Sequence, residues 1–299
     1  MKRKLSKKSV SEFFSPFKSY TLYFISLFLF LISSCNKEEP IPSYIHLDKI
    51  TLNTNYSTEG SNSNKILDAW IYIDDQLVGA FEMPCTVPVI YYGNHTLKVL
   101  PGIKENGISE TRITYPFYYR YEKQVNLTAG QVDTIAPVVT YSSSSDFTWI
   151  EDFEGISPSV CDSGTSDTVM KITNVPSEVF GGTGGSGVVN LPLGVYYGVS
   201  CNKYVLPKAG APVFLELDYN CNTEFNVGII GYASNNLVDV QQIAITLRPT
   251  SGWNKVYINL SNEITGALNS VRFGIFFSMI KDPNLSSSQF YVDNIKLIN

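Results

Sequence analysis

Few side chains in this chain have the types and spacing that catalysis requires. The sequence holds two histidines, His46 and His95, so it has few residues from which a Ser-His-Asp site or a histidine metal site could be built. Paired carboxylates can hydrolyse glycosidic bonds, and candidates exist at Asp218, Glu224 and Asp239, but no motif singles out a pair. The sequence therefore favours a binding protein, with glycoside hydrolysis as the residual catalytic alternative.

The cysteines are a second set of reactive side chains. The four that follow Cys35 are Cys85, Cys161, Cys201 and Cys221, at spacings of 76, 40 and 20 residues. These spacings match no metal-binding pattern such as C-x-x-C. A disulfide among the last three and buried free thiols are both compatible with the sequence.

Cys35 follows a segment with the three parts of a secretory signal. Basic residues cluster within residues 2–18, an apolar run extends from Tyr20 to Ile32, and two serines precede the cysteine. The run has about 13 residues, fewer than the roughly 20 that a membrane-spanning helix needs. Residues 1–34 are thus predicted to be a signal segment; the alternative for Cys35 is a free thiol beside an ordinary cut site.

Ile-Ser-Ser-Cys at 32–35 resembles the lipobox of bacterial lipoproteins. The resemblance implies cleavage before Cys35 and acylation of that cysteine with palmitate-like chains, several of which hold a protein stably at a membrane. Residues 36–40 resemble the acidic tag that routes some Gram-negative lipoproteins to the outer face of the outer membrane. We therefore expect a lipid-anchored, surface-exposed outer-membrane protein with residues 35–43 as its tether.

The chain after the signal segment is acidic and rich in strand-forming residues. The full chain has 22 Lys and Arg and 27 Asp and Glu; six and one of these lie in residues 1–34, so 16 basic and 26 acidic residues follow. This balance disfavours nucleic acid and anionic lipid headgroups as partners, because both bind basic surfaces. Short apolar runs separated by turns predict an all-β protein with two tandem β-sandwich domains.

The first predicted domain, residues 44–141, resembles in part the PEGA-type surface module, a small Ig-like β-sandwich. The resemblance covers residues 66–103 and rests on Asp-Ala-Trp-Ile-Tyr-Ile-Asp-Asp at 68–75 and Gly-Asn-His-Thr-Leu-Lys-Val at 93–99. Asp75 stands where that family usually has glycine, so the turn type is open. We predict a loop at 101–121, whose aromatic residues either cover the end of the sandwich, as we expect, or stack on a ligand.

The second predicted domain, residues 147–299, follows a serine-rich linker at 142–146. It resembles the jelly-roll carbohydrate-binding modules of the galactose-binding-like class in its Asp-Phe-Glu at 152–154, its Gly-Trp-Asn-Lys-Val-Tyr-Ile-Asn-Leu at 252–260 and its closing Tyr-Val-Asp-Asn-Ile-Lys at 291–296. The resemblance implies a structural Ca²⁺ held by Asp152 or Glu154 together with Asp293. The alternative is that these acids bind nothing.

The same resemblance implies recognition of a glycan or another cell-surface component. A glycan site presents exposed aromatic rings along a groove, and the candidates are Tyr196, Tyr197 and Tyr232. The glycine-rich run at 180–187 lacks the Gly-Lys-Ser/Thr end of a phosphate-binding loop and is predicted to be a sandwich loop. The alternative function is a non-catalytic structural or accessory subunit that docks onto an outer-membrane protein complex through an apolar patch.

Overall fold

The computed structural model describes residues 39–162 and 164–299, and this part of the chain is all-β. The predictions for Cys35, the signal segment and the lipobox lie outside the described residues. Within the described ranges, no helix has the length and apolar character needed to cross a membrane.

The first sandwich encloses a core that includes Ile45, Ile71, Leu97 and Val99. Its largest sheet has the order β4-β3-β6-β7, with β8 also paired to β6, and the smaller sheets are β5-β1-β9 and β10-β2. The elements are β1 (Ser43–Leu47), β2 (Thr51–Leu52), α1 (Tyr56–Glu59), β3 (Asp68–Ile73), β4 (Gln76–Glu82), β5 (Cys85–Val89), β6 (Gly93–Lys104), β7 (Arg112–Thr114), β8 (Tyr121–Leu127), β9 (Val132–Ile135) and β10 (Val138–Val139).

The β3–β4 hairpin turns through Asp74 and Asp75, which both have positive φ angles, 47° and 65°. This left-handed backbone normally favours glycine or asparagine, and aspartate tolerates it better than most residues. The Asp74 carboxylate accepts a hydrogen bond from the Thr96 backbone N–H at 2.8 Å and lies 2.5 Å from Nδ1 of His95. These contacts hold the turn in the two-residue, left-handed form although it lacks glycine.

The second sandwich is an antiparallel jelly roll of two facing sheets. One has the order β13-β14-β21-β16-β19, with β11 paired to β21, and the other is the five-stranded sheet β12-β15-β20-β17-β18. The strands are β11 (Phe147–Glu151), β12 (Val160–Asp162), β13 (Lys171–Thr173), β14 (Ser186–Leu191), β15 (Val195–Ser200), β16 (Phe214–Cys221), β17 (Phe225–Tyr232), β18 (Val238–Leu247), β19 (Asn254–Asn259), β20 (Arg272–Ile280) and β21 (Ser288–Ile298), with a helix α2 (Ser261–Gly266) after β19.

Alternate residues of the facing strands form the core of this jelly roll. Val227 and Ile229 of β17 and Ile275 and Phe277 of β20 are completely buried between the sheets, as the two-residue period of a strand requires. A disulfide joins Cys161 to Cys201, while Cys85 and Cys221 are free thiols, the latter buried. The structure thus contains a disulfide and also free thiols, the two possibilities that the sequence left open.

The two sandwiches share an aromatic interface. Phe214, Tyr257 and Ile298 of the second sandwich belong to the core cluster of the first. Tyr115 and Tyr118 pack edge-on against Tyr257, with ring centroids 4.9 and 6.4 Å apart. The expectation that the aromatic run is buried is confirmed for Tyr115, Phe117 and Tyr118, which cover the junction between the sandwiches, and is wrong for Tyr119, which is 55% exposed.

Several strands were not predicted. β5 contains Pro88, which made a strand improbable, but β5 lies at the edge of its sheet, where a missing backbone N–H costs no ladder bond. The predicted loop at 101–121 is partly wrong, because β6 continues to Lys104 and β7 follows. The domain limits stay a prediction; at the predicted linker, Ser142 N–H donates to the Phe117 carbonyl at 2.7 Å.

Candidate functional site

Three aromatic rings cross the outer face of the five-stranded sheet. Tyr197 of β15 stacks on Phe276 of β20, with ring centroids 5.4 Å apart and an interplanar angle of 23°. Tyr232 of β17 lies opposite Arg272 of β20 in the strand register. Because Phe273, Ile275 and Phe277 point into the core, the even-numbered Phe276 points outward. We call Tyr197, Phe276 and Tyr232 the aromatic strip.

Glycines make room for the aromatic strip. A Cβ at Gly228 would lie 2.5 Å from the Phe276 ring and 2.2 Å from the Gln242 carbonyl oxygen. A Cβ at Gly274 would lie 3.5 Å from Cε2 of Tyr232. The rings therefore lie flat against the sheet over positions that have no side chain. Phe276 is only 1% exposed and lies under the Tyr197 ring, so Tyr197 and Tyr232 are the half-buried rings that form the apolar surface.

Polar side chains border the aromatic strip on the same face. Asn226 of β17 lies between Ser278 and Thr246 in the register. Its amide donates to the Ser278 hydroxyl at 3.3 Å, and its carbonyl oxygen accepts from the Thr246 hydroxyl at 2.7 Å. We call Asn226, Ser278 and Thr246 the polar row. It ends beside Tyr197, because Tyr197 pairs with Ser278 in the strand register. Hydroxyl and amide groups next to an aromatic surface are the groups that orient a small polar ligand.

Tyr197 has a buried hydroxyl with no hydrogen-bond partner among the described residues. Burial, with a smaller contribution from Tyr232, raises the pKa of Tyr197 to about 12, so the phenol keeps its proton. Lys203 covers one face of the Tyr232 ring, with its ammonium 3.7 Å from the ring centroid. The strip thus combines an unsatisfied hydroxyl at one end with a cation-covered ring at the other.

The structure separates the three sequence-predicted tyrosines. Tyr197 and Tyr232 lie half-buried on the outer face. Tyr196 is 1% exposed and packs against Phe290 in the core, with ring centroids 5.6 Å apart. Its expected exposure is wrong, because neighbouring residues of a strand point to opposite faces and Tyr197 takes the outer one.

The three predicted calcium ligands lie close together beside Tyr56. The Tyr56 hydroxyl donates to Asp152 at 2.8 Å, and all three acids act on Tyr56, whose pKa the Asp152 hydrogen bond raises to about 12. Glu154 accepts from the Gly185 N–H at 2.9 Å. Asp293 accepts from Ser186, and burial raises its pKa to about 7.

These carboxylates do not by themselves make a calcium site. In residues 39–162 and 164–299, no three His, Cys, Asp or Glu side chains form a group that could hold a metal ion. Calcium takes six to eight oxygens, so backbone carbonyls would have to supply most of them. The calcium hypothesis therefore stays a prediction.

The candidate acids for hydrolysis have separate structural partners. Asp218 is buried and accepts from the Asn294 amide at 2.9 Å, whereas Glu224 is exposed and faces Arg248 at 3.6 Å. Asp239 accepts from the Ser270 hydroxyl at 2.7 Å. Of the two histidines, His46 contacts the Thr86 hydroxyl at 2.8 Å, and His95 lies beside Asp74 in the β3–β4 turn.

Sequence reasoning missed Phe276, Asn226 and Gly228 as parts of this face. A signal for them existed, because β17 and β20 read as strands with glycine at one outward position each, Gly228 and Gly274. Glycine inside a strand often marks a place where another group approaches the backbone closely. Which strands are neighbours was not predictable from one sequence, so the strip could not be assembled in advance.

Comparisons with known proteins returned structures only. No family model matches the chain, and no curated protein does. The chain is similar to the CBM22-1 xylan-binding domain from Paenibacillus barcinonensis Xyn10C, at 10% identity over 52% of this chain and 96% of that one, with a TM-score of 0.38. It is similar to the family 11 carbohydrate-binding module of Clostridium thermocellum Lic26A-Cel5E, at 18% identity over 52% and 95%, with a TM-score of 0.38.

A third similar structure comes from work on carbohydrate-binding modules of the β-sandwich superfamily. It is 12% identical, covers 87% of this chain and 99% of its own, and has a TM-score of 0.37. These identities and TM-scores are low, so the similarities carry no argument about what this chain binds.

Proposed function

We propose that the jelly roll binds a glycan through the aromatic strip, and that a lipid at Cys35 holds the protein at the outer face of the outer membrane. The observation that carries the glycan proposal is the pair of half-buried rings, Tyr197 and Tyr232, on the same face as the polar side chains of Asn226, Ser278 and Thr246. Flat aromatic area beside hydroxyl and amide groups is the combination that binds and orients a sugar ring.

The chemistry of the face fits a neutral sugar. Aromatic rings offer apolar area for the C–H faces of a pyranose, and Asn226, Ser278 and Thr246 offer donors and acceptors for its hydroxyls. The residues of the strip and of its polar row are uncharged, and Lys203 is the cation placed over the strip. The proposal therefore expects uncharged saccharides to bind.

A glycan array probed with the purified full chain tests this proposal. We expect a restricted set of neutral oligosaccharides to give signal, and the signal to fall when free saccharide is added. A pull-down from native membranes runs beside it. No array signal together with a stable co-purifying protein complex would reject glycan binding.

A docking role is favoured by one specific surface feature. Leu193, Val195 and Ile280 are 68%, 39% and 72% exposed, and Val195 pairs with Ile280 across β15 and β20. Adjacent exposed apolar side chains are frequent at protein contacts. In this alternative the protein is a non-catalytic accessory subunit of an outer-membrane complex, and the pull-down is the experiment that detects it.

A further inference from the structure

A cavity of about 470 Å³ lies between the two sandwiches, away from the residues of the aromatic strip. The first sandwich lines it with residues of the loop before β3, with Lys104 at the end of β6 and with the segment after β6. The second sandwich lines it with the end of β18 and the start of β19. The volume falls in the range of small-molecule sites, about 300–1,000 Å³. We call it the inter-sandwich cavity.

The inter-sandwich cavity is lined by cations and by no carboxylate. Its four basic residues are Lys65, Lys104, Arg248 and Lys255, and no Asp or Glu is among its lining residues. This is unusual in a chain whose acidic residues outnumber its basic ones. A concave surface of one charge sign concentrates ions of the opposite sign.

Two of these cations already have their charge balanced. The Lys255 ammonium faces Glu216 at 3.4 Å and Asp218 at 3.8 Å, behind the cavity wall. Arg248 lies 3.6 Å from Glu224, and its side chain is 85% exposed. An exposed pair of this kind is weak, so Arg248 remains able to turn toward a ligand.

The other two cations lack a carboxylate partner. Lys65 donates to the side-chain oxygen of Asn254, and its pKa is lowered first by burial and then by the charge of Lys104. Lys104 is half-buried, and its ammonium forms no hydrogen bond or ion pair with any residue of 39–162 or 164–299, although its charge helps to lower the pKa of Glu82 after the larger effects of Arg112. The fold thus holds two like charges near each other in a partly desolvated place, which is unfavourable unless an anion joins them.

Amide groups complete the lining. Asn106 accepts the Asn259 N–H through its side-chain oxygen at 2.9 Å, which leaves its NH₂ group available. Asn254 donates to the Tyr219 hydroxyl at 3.1 Å and so stays fixed beside Lys65. An amide donor next to two ammonium groups is a suitable set of donors for an oxyanion.

We propose that the inter-sandwich cavity binds a small ligand through an oxyanion, with Lys65 and Lys104 as the groups that hold it. An acidic sugar and a free inorganic anion both offer this chemistry. The three rings of the aromatic strip do not line this cavity, and Thr246 is the one residue of the polar row that does. The proposal rests on Lys65 and Lys104, which have no part in the proposed glycan site.

Calorimetric titration of the full chain in detergent micelles tests the proposal with three probes: sodium glucuronate, glucose and inorganic phosphate. We expect glucuronate or phosphate to bind, glucose not to bind at this site, and the affinity to fall at high ionic strength. Binding of glucuronate in preference to phosphate assigns an acidic sugar, and the reverse assigns a free anion.

Variants connect the binding to the cavity. Lys104→Met should weaken binding by roughly tenfold or more, because it removes a charged donor, and within the described residues it breaks no hydrogen bond or ion pair of the ammonium. Lys65→Met should act in the same direction, with thermal unfolding as the check on folding. Lys123→Met, an exposed lysine of β8, removes the same charge elsewhere and should change nothing.

Two results would overturn the proposal. One is that neither oxyanion binds at millimolar concentration, and the other is that Lys104→Met binds as tightly as the unaltered chain. Tyr232→Ala separates the two proposals of function, since it should weaken binding of the neutral saccharide and leave oxyanion binding unchanged.

Discussion

At the scale of single residues, Lys296 places a cation inside the interface between the sandwiches. Its side chain is fully buried, and its ammonium donates to the Ser61 carbonyl at 2.5 Å and to the Tyr141 hydroxyl at 3.2 Å. The Tyr141 hydroxyl in turn donates to Glu216 at 3.0 Å. Burial lowers the pKa of Lys296 from 10.5 to about 8, so the folded state binds this proton less tightly than the unfolded chain does.

This lowered pKa predicts a pH dependence of stability. Between pH 8 and the ordinary value of 10.5, the unfolded chain carries a proton that the folded chain has released, so the free energy of unfolding rises with pH. Lys296 should contribute a rise of about 2 kcal/mol up to about pH 9.5. Urea unfolding across this window measures it, and the slope should be smaller in Lys296→Met. Equal slopes in both proteins would contradict the assignment.

Calcium is tested at the acids beside Tyr56. If Ca²⁺ bridges Asp152, Glu154 and Asp293, then EDTA should lower the thermal midpoint by a few degrees and excess Ca²⁺ should restore it, because a ligand that binds only the folded state stabilises it. Asp293→Asn should remove this response. A midpoint that EDTA leaves unchanged would reject the calcium hypothesis.

At the scale of elements, β17 and β20 make room for the aromatic strip because each has a glycine at an outward position, Gly228 and Gly274. Gly228→Ala should destabilise the protein by about 1–3 kcal/mol, the usual cost of overpacking, because the new Cβ meets the Phe276 ring and a backbone oxygen. Gly252→Ala is the matched control, since a Cβ there has no heavy atom within 4 Å. Denaturant midpoints measure both variants, and equal midpoints would show that Phe276 moves aside freely.

Elements were predicted where their side chains alternate clearly. β17 was predicted at its observed limits, Phe225–Tyr232, because its inward residues are apolar and its length is typical. β12, at Val160–Asp162, was missed because three residues give no period, and pairing with β15 stabilises it. Tyr196 and Tyr197 show a similar limit within one strand. The sequence indicates that they point to opposite faces of the sheet, but which of them faces the core depends on where the second sheet packs.

At the scale of the whole molecule, the sequence predicted two sandwiches and could not predict their interface. Tyr257 lies in a strand of the second sandwich, yet its hydroxyl meets the Tyr118 hydroxyl at 3.1 Å and accepts the Lys65 N–H at 2.9 Å. Such contacts join residues more than a hundred positions apart, and no local pattern encodes them. The inter-sandwich cavity was unpredictable for the same reason.

The proposed lipid anchor is tested on the whole molecule. Cys35→Ala should move the protein from the membrane fraction to the aqueous phase in a detergent partition, because the acyl chains that hold it would be absent. Mass spectrometry of the unaltered protein should show fatty acyl groups on Cys35. Membrane retention of the alanine variant would contradict the proposed attachment.

The central claim is that the aromatic strip binds a glycan. The most direct measurement is titration of a saccharide from the array into the unaltered chain, Tyr232→Ala and Tyr197→Ala, with the exposed Tyr119 of the first sandwich changed to alanine as the control. We predict roughly tenfold weaker binding for Tyr232→Ala and for Tyr197→Ala, because each removes a ring of the strip, and no change for Tyr119→Ala. Equal affinities in all four proteins would contradict the account.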